Sequence, residues 1–311
     1  MPVPLKFTSL THHHLFACIN TILLNTEPFT ISKKIRILDL GCGSGRMLAD
    51  FVKAFKNLMP DKDFEFYGLD VNDALVQKSG YFEKTIAVLN EADNSANWNN
   101  FLCLTGSSEH WPYADNFFDF IISNQVMEHV NDHYFCFKEI SRTLTEDGFC
   151  FNLYPLRHVL FETHLFIPLA HKFTNWSKTY QWIKFWGLTG AGSYKKLKAS
   201  GQVSSIHEYA ETHADKMAFQ VNYLTVKETS STAKKASLKP SFDFTHLYYC
   251  QKIRSLFGLQ ILQSYNKRYI FSSYSIYFFI LKYVSSITLV LRKKESNNSG
   301  ETKIKKFSAN I

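Results

Sequence analysis

The chain has 311 residues, the length of one large domain or of one domain with a sizeable insertion. Aromatic residues make up 16% of it, ample material for a core, and its six cysteines show neither a C-x-x-C pair nor zinc spacing, which argues against a metal ribbon and for free thiols in a reducing compartment. The net charge of +8 is unevenly spread, −7 over residues 1–150 and +15 over residues 151–311. The second half therefore suits an anionic partner, or simply carries a solvated lysine-rich surface.

Residues 1–34 read as an N-terminal helical cover. The apolar stretch Leu15 to Leu24 lacks a basic leader and is interrupted by Cys18, Asn20 and Thr21. It is expected to be a helix over the edge of the fold rather than a secretory signal. His12, His13 and His14 are consecutive, and three successive positions of a helix cannot face one ion, so no metal is expected there.

Ile35 to Leu40 is an apolar run that ends in Gly41-x-Gly43-x-Gly45, and a helical pattern follows (Met47, Leu48, Phe51, Val52, Phe55). Strand, glycine turn and helix in that order make a cofactor cradle at the carboxyl end of a parallel strand. A phosphate loop would need Lys-Ser/Thr after the last glycine, and here Arg46 and Met47 follow. A dinucleotide loop would need Gly-x-Gly-x-x-Gly, which the spacing does not match. Asp39 lies within the strand end, where an acid requires a partner. A second strand, Phe64 to Leu69, ends at Asp70 and Val71. Asp70 can accept both hydroxyls of a ribose in the adjacent crevice, or can cap a helix over Asn72 to Lys78.

A third strand, Phe101 to Leu104, leads into Gly106-Ser107-Ser108-Glu109-His110-Trp111-Pro112-Tyr113. The fourth, Phe117 to Asn124, is followed by Gln125-Val126-Met127-Glu128-His129-Val130, then Asp132 and a helix through Ile140 and Leu144. A turn over Thr145 to Gly148 introduces the fifth strand, Gly148 to Leu153.

The segment Ile37 to Arg46 resembles motif I of the class I S-adenosylmethionine (SAM)-dependent methyltransferases, an apolar-apolar-Asp-apolar-Gly-x-Gly-x-Gly string. Further motifs follow in order over residues 35–155, and the likeness is closest to the methyltransferase type 11 group. The resemblance implies an α/β fold: a Rossmann-like, seven-stranded methyltransferase sheet with strand seven antiparallel. It implies SAM as cofactor and a cytoplasmic enzyme. Its site residues would be Asp39 toward the cationic end of the cofactor, the loop Gly41, Cys42, Gly43 and Gly45, then Asp70 and Val71. Ser107, Ser108 and Glu109 would lie along the adenine, with Asn124 and Gln125 after strand four. The family commonly has Asp where Ser107 stands; serine keeps one acceptor but brings no charge. In some related O-methyltransferases an acid three residues before the Glu-His pair completes a divalent-metal site. Gln125 holds that place here, and a neutral amide is a poor substitute, so no metal is expected.

Residues 35–154 thus form the expected SAM-binding core. The family's later elements are expected at His246 to Leu256 (helix), Leu259 to Gln263 (strand six) and Ile287 to Leu291 (strand seven), making 246–294 the C-terminal part of that core. This leaves 155–245 as a helical, substrate-recognising insertion after strand five. At its start gather His158, Glu162, His164 and His171. The Glu162-x-His164-x-x-x-Pro168 string also resembles methyltransferases of bacterial surface-polysaccharide gene sets. Trp176, Trp182 and Trp186 suit a core stripe better than a sugar platform. Residues 227–239 read as a mobile Ser/Thr/Lys-rich loop. Residues 270–291 are long enough to span a bilayer but are diluted by hydroxyl residues and Lys282; a helix, Tyr274 to Tyr283, plus a strand is the preferred reading, able to rest on a membrane surface. Residues 295–311 read as a disordered basic tail.

A sulfonium donor needs only an aligned nucleophile and, for a hydroxyl, a base. His129 and His164 are the candidates for that base, with a structural role for Glu128 and His129 as the alternative. The resulting expectation is methyl transfer to a hydroxyl of a small-molecule or carbohydrate-like acceptor, anionic in keeping with the basic half. Alternatives are C- or N-methylation of a lipid, quinone or nucleic acid, and a non-catalytic SAM-binding module. The sequence Asn124-Gln125-Val126-Met127 disfavours amino methylation of bases, and with it nucleic acid as partner.

Overall fold

The computed structural model describes residues 5–32, 34–72, 81–266 and 275–294. Among these, the helices are α1 (Leu10–Asn25), α2 (Glu27–Ile31), α3 (Arg46–Leu58), α4 (Tyr81–Ala92), α5 (His133–Thr143), α6 (Trp176–Thr189), α7 (Tyr194–Ala199), α8 (Ile206–Phe219), α9 (Val226–Lys235), α10 (Thr245–Leu256) and α11 (Ser275–Leu281). The strands are β1 (Lys34–Leu40), β2 (Asp63–Val71), β3 (Leu102–Thr105), β4 (Phe118–Asn124), β5 (Leu144–Pro155), β6 (Leu238–Ser241) and β7 (Ser286–Lys293). They form one sheet in the order β3-β2-β1-β4-β5-β7-β6. β1 to β5 run parallel, and β7 is antiparallel to both its neighbours. The expected seven-stranded α/β architecture is present. The order reverses between β1 and β4, which opens a crevice at the carboxyl ends of the strands.

Alternation along the strands makes two cores. Ile35, Ile37, Phe120, Ile122, Phe149, Phe151 and Val290 face α1, α3 and α10. Leu38, Leu40, Ile121, Cys150, Leu289 and Leu291 face α5 and α9. α1 is buried from His13 to Leu23 and lies against β4, β5, α3 and α10. It therefore covers a face of the sheet, not its edge; a helix apolar on nearly every side has to be enclosed. Ser9 caps it by accepting from the His12 N–H. The three adjacent histidines diverge: His12 bonds Asp50 at 2.8 Å, His13 stacks on Phe7, and His14 is enclosed between Tyr265 and Thr288.

Several expectations are corrected. Strand six is β6 at Leu238–Ser241, not Leu259 to Gln263. The latter alternates like a strand, but the Gln251 side chain ties it down, accepting from the Leu262 N–H and donating to its carbonyl. β6 is short and contains Pro240, which an edge strand tolerates. Residues 226–235 form α9, closed by a capping box between Thr225 and Glu228, instead of a mobile loop. Thr145 to Gly148 is no separate turn: β5 begins at Leu144 and accommodates these residues as a register shift against β4. The boundary at 245 falls after β6, so a core strand lies on the insertion side of it. The helix at Asn72 to Lys78 and the tail 295–311 fall outside the described residues, apart from Asn72 itself. No helix among the described residues is long and apolar enough to cross a membrane.

Between β5 and α9, helices α6 to α8 build a separate core around Leu165, Ile167, Ile183, Tyr209, Ala210 and Ala214. Trp182 and Trp186 pack against it, and Trp176 stacks on Tyr180 at 5.3 Å.

Candidate active site

The glycine loop leaves β1 with φ of 74° at Gly41, 47° at Gly43 and 71° at Gly45. At Gly41 the requirement is double, because a Cβ there would come within 2.5 Å of Val126. At Gly43 an added Cβ would meet nothing closer than 4.0 Å, so the loop presents bare backbone to open space. The Gly41 and Cys42 N–H groups donate to the Leu69 carbonyl, which locks the loop to β2. Burial, reinforced by Asp39 and Asp70, pushes the Cys42 thiol well up, and its side chain packs within the core beneath the loop.

Asp39 is fully buried, and neither carboxylate oxygen has a hydrogen-bond partner among the described residues. Burial, with Asp70 nearby, holds its carboxyl well above the usual range. A buried, unpartnered acid beside a bare loop calls for a cationic ligand. The ammonium of SAM, the cofactor the family resemblance implies, would meet that need. Asp70 ends β2, accepting from the Gly43 N–H at 2.7 Å and, through its other oxygen, from the Val71 N–H at 2.8 Å. Loop and acid are thus fixed relative to one another.

The other predicted positions sort themselves by contact. Ser107, Ser108 and Glu109 are exposed on the turn after β3. Glu109 folds back to accept from the Gly106 N–H and the Thr105 hydroxyl, so it braces the turn. Asn124 donates to Thr11 of α1 at 3.1 Å. Gln125 has φ 58° and its amide donates to Ser286 of β7 at 2.8 Å, which ties it to the far strands.

His129 and His164 come together. Their rings lie 5.4 Å apart, edge to face, although they are 35 positions apart in the chain. His129 belongs to a single 3-10 turn, Met127–His129, and its Nδ1 meets the Gln220 carbonyl at 2.6 Å. Burial lowers its pKa, opposed by that carbonyl. His164 Nδ1 meets Glu162 at 2.7 Å. Glu162 is fully buried and also accepts from the Tyr223 hydroxyl and the His164 and Leu165 N–H groups. Burial alone would raise its carboxyl, but His164, Tyr223 and Leu165 outweigh this and hold it below the usual range. Between the two rings' elements sits Glu128, fully buried. Burial pushes its carboxyl up to about 8.

His158 and His171 do not join this group. His158 accepts from the Val226 N–H at the start of α9, and His171 meets the Arg157 carbonyl. His110 pairs with Glu139 of α5. Tyr223 and the Gln220 carbonyl escape a motif reading: they lie some 60 residues from Glu162 and 90 from His129, and no spacing rule links them.

Residues 38–152 match the family described as methyltransferase domain. No curated protein matches the chain. Among solved structures it is similar to an S-adenosylmethionine-dependent methyltransferase from Mesorhizobium loti (12% identity, TM-score 0.46, 87% of this chain and 100% of that one). It is also similar to phosphoethanolamine N-methyltransferase 2 of Haemonchus contortus (13%, 0.42, 93% and 57%). A third is geranyl diphosphate C-methyltransferase from Streptomyces coelicolor (12%, 0.40, 84% and 73%).

Proposed function

We propose that the chain, whose residues 38–152 match the methyltransferase domain family, is a SAM-dependent methyltransferase that methylates a hydroxyl of a small-molecule or carbohydrate-like acceptor. The observation that carries this reading is the meeting of His129 and His164 after β4, each with Nδ1 engaged and Nε2 left to act on a substrate proton. Carbon or amine acceptors call less for two such nitrogens, whereas an alcohol must lose its proton in the transfer. Asp39, the glycine loop, Asp70 and Val71 hold the cofactor. Ser107, Ser108 and Asn124 would complete its pocket. Gln125, tied to Ser286, serves by shaping the chain after β4. The basic half favours an anionic acceptor.

The test is a screen of purified protein with SAM against sugar nucleotides, lipid-linked glycans and small alcohols. Product mass and fragmentation would locate the added methyl. An O-methyl product is expected, with His129→Ala and His164→Ala keeping cofactor affinity and losing turnover. Methyl found only on carbon or nitrogen, or both variants at full turnover, sinks the hydroxyl reading.

A cytoplasmic protein with a peripheral membrane face is the reading of location. Its support is a set of exposed apolar side chains, among them Leu256, Phe257, Phe279 and Ile280, accompanied by Lys252 and Lys282.

A further inference from the structure

Among the described residues, Glu128, His129 and His164 form a group of side chains able to hold a metal ion. One potential ligand atom from each lies within 4.8 Å of the other two. Glu128 has no exposure to solvent, and neither of its carboxylate oxygens finds a hydrogen-bond partner among the described residues. A bare carboxylate in the interior is costly unless something cationic meets it. The two imidazoles beside it are held in one arrangement. His129 points Nδ1 at the Gln220 carbonyl and His164 points Nδ1 at Glu162. Each acceptor fixes the proton on Nδ1 and leaves the Nε2 lone pair free to ligate, the way metal-ligating histidines are oriented by an outer shell. That outer shell is itself braced. Glu162 takes three further hydrogen bonds, and the Asn222 N–H donates to the Glu128 carbonyl at 2.6 Å.

We propose that Glu128, His129 and His164 bind a divalent transition-metal ion of the zinc class, with one coordination position open to the acceptor. Two imidazoles and one carboxylate are a donor set such an ion accepts, with three protein ligands and a free fourth place. Ligand atoms around tetrahedral zinc lie about 3.3 Å apart, so the cluster needs to close by about 1.5 Å at most. Such a site departs from the expectation of no metal, which followed from Gln125: His164 in the insertion would supply the third ligand in place of position 125.

The ion's role rests on the hydroxyl reading above; the site itself does not. With both Nε2 atoms ligating, the ion takes over their part in deprotonation, and at the open position it favours loss of the acceptor proton to solvent water. The oxygen lone pair then forms the O–CH3 bond as the C–S bond of SAM breaks. Its electron pair stays on sulfur, giving S-adenosylhomocysteine and one released proton.

The experiment uses tag-free full-length protein, stripped with a chelator and titrated calorimetrically with zinc chloride. One equivalent is expected to bind, and bound zinc should raise the unfolding temperature. Glu128→Gln, which keeps the volume but removes the anionic ligand, and His164→Ala should each weaken zinc by about 100-fold or more while S-adenosylhomocysteine affinity is retained. Wild-type protein that takes up no zinc, or either folded variant binding it as tightly as wild type, overturns the site. Should Glu128→Gln fail to fold, His164→Ala, in a half-buried loop, decides alone. Zinc binding together with an N- or C-methyl product removes the hydroxyl reading and leaves the site; an O-methyl product without zinc binding does the reverse.

Discussion

Asp70 is the residue on which the two ends of the cofactor cradle depend. Its carboxylate holds the Gly43 and Val71 N–H groups, so it shapes the loop, and on the proposed reading it also offers an acceptor to ribose. Asp70→Ala is expected to weaken S-adenosylhomocysteine by about 2 kcal/mol or more, since buried hydrogen bonds to a charged group are lost; calorimetry giving wild-type affinity would take Asp70 out of the site. Glu139 is a different case. Burial works to raise its carboxyl, but Arg142, the Trp111 N–H and His110 win, and it sits at about 2 against an ordinary value of 4.5. A depressed carboxyl stabilises the fold above its unfolded value, and that contribution is lost as protons return. Thermal stability should therefore fall between pH 4.5 and about 2, and Glu139→Gln should flatten that part of the profile. An unchanged profile in the variant would show that the pairing contributes nothing.

At the scale of elements, the sequence was legible where chemistry and periodicity coincide. Asp39, the three glycines and Asp70 sit at strand ends, where an acid or a glycine is conspicuous against apolar neighbours. β1 to β5 were therefore readable in place, and α10 and β7 as well. β6 was not, because four residues including Pro240 carry no periodicity, while Leu259 to Gln263 carries one that the Gln251 side chain overrules. α9 was hidden by its composition: Ser, Thr and Lys suggest a loop, and only the Thr225–Glu228 capping box and packing against β6 and α5 make it a helix. The pairing of His129 with His164 was half legible. Both residues were conspicuous, but their contact depends on the path of the insertion, which no local pattern encodes.

For the molecule as a whole, residues 165–217 of the insertion have a core of their own, whereas α9 and β6, later in the same insertion, pack on the sheet. Local opening should then be separable from global unfolding. Tyr209 is fully buried at the centre of the insertion. Tyr209→Ala is expected to speed amide exchange over residues 165–217 while β1, β2 and β4 keep their protection and S-adenosylhomocysteine affinity stays within about twofold. Exchange rising equally across the sheet would show that the two parts unfold as one.

α1 imposes an order of events on the making of this protein. Its His14 side chain is clasped by Tyr265 and by Thr288 of β7, 274 positions downstream. During synthesis the helix emerges long before the strand it must meet, and at a translation rate of about 5–20 residues per second the wait is tens of seconds. Through that interval Leu15, Phe16, Ile19 and Leu23 can meet α3, β4 and β5, but the part of their surface that α10 and β7 complete stays open. Contacts so distant along the chain slow the final step of folding. The nascent polypeptide should accordingly depend on a holding chaperone until β7 has cleared the ribosome, and its yield on expression should track the supply of that help more closely than the stability of the finished molecule.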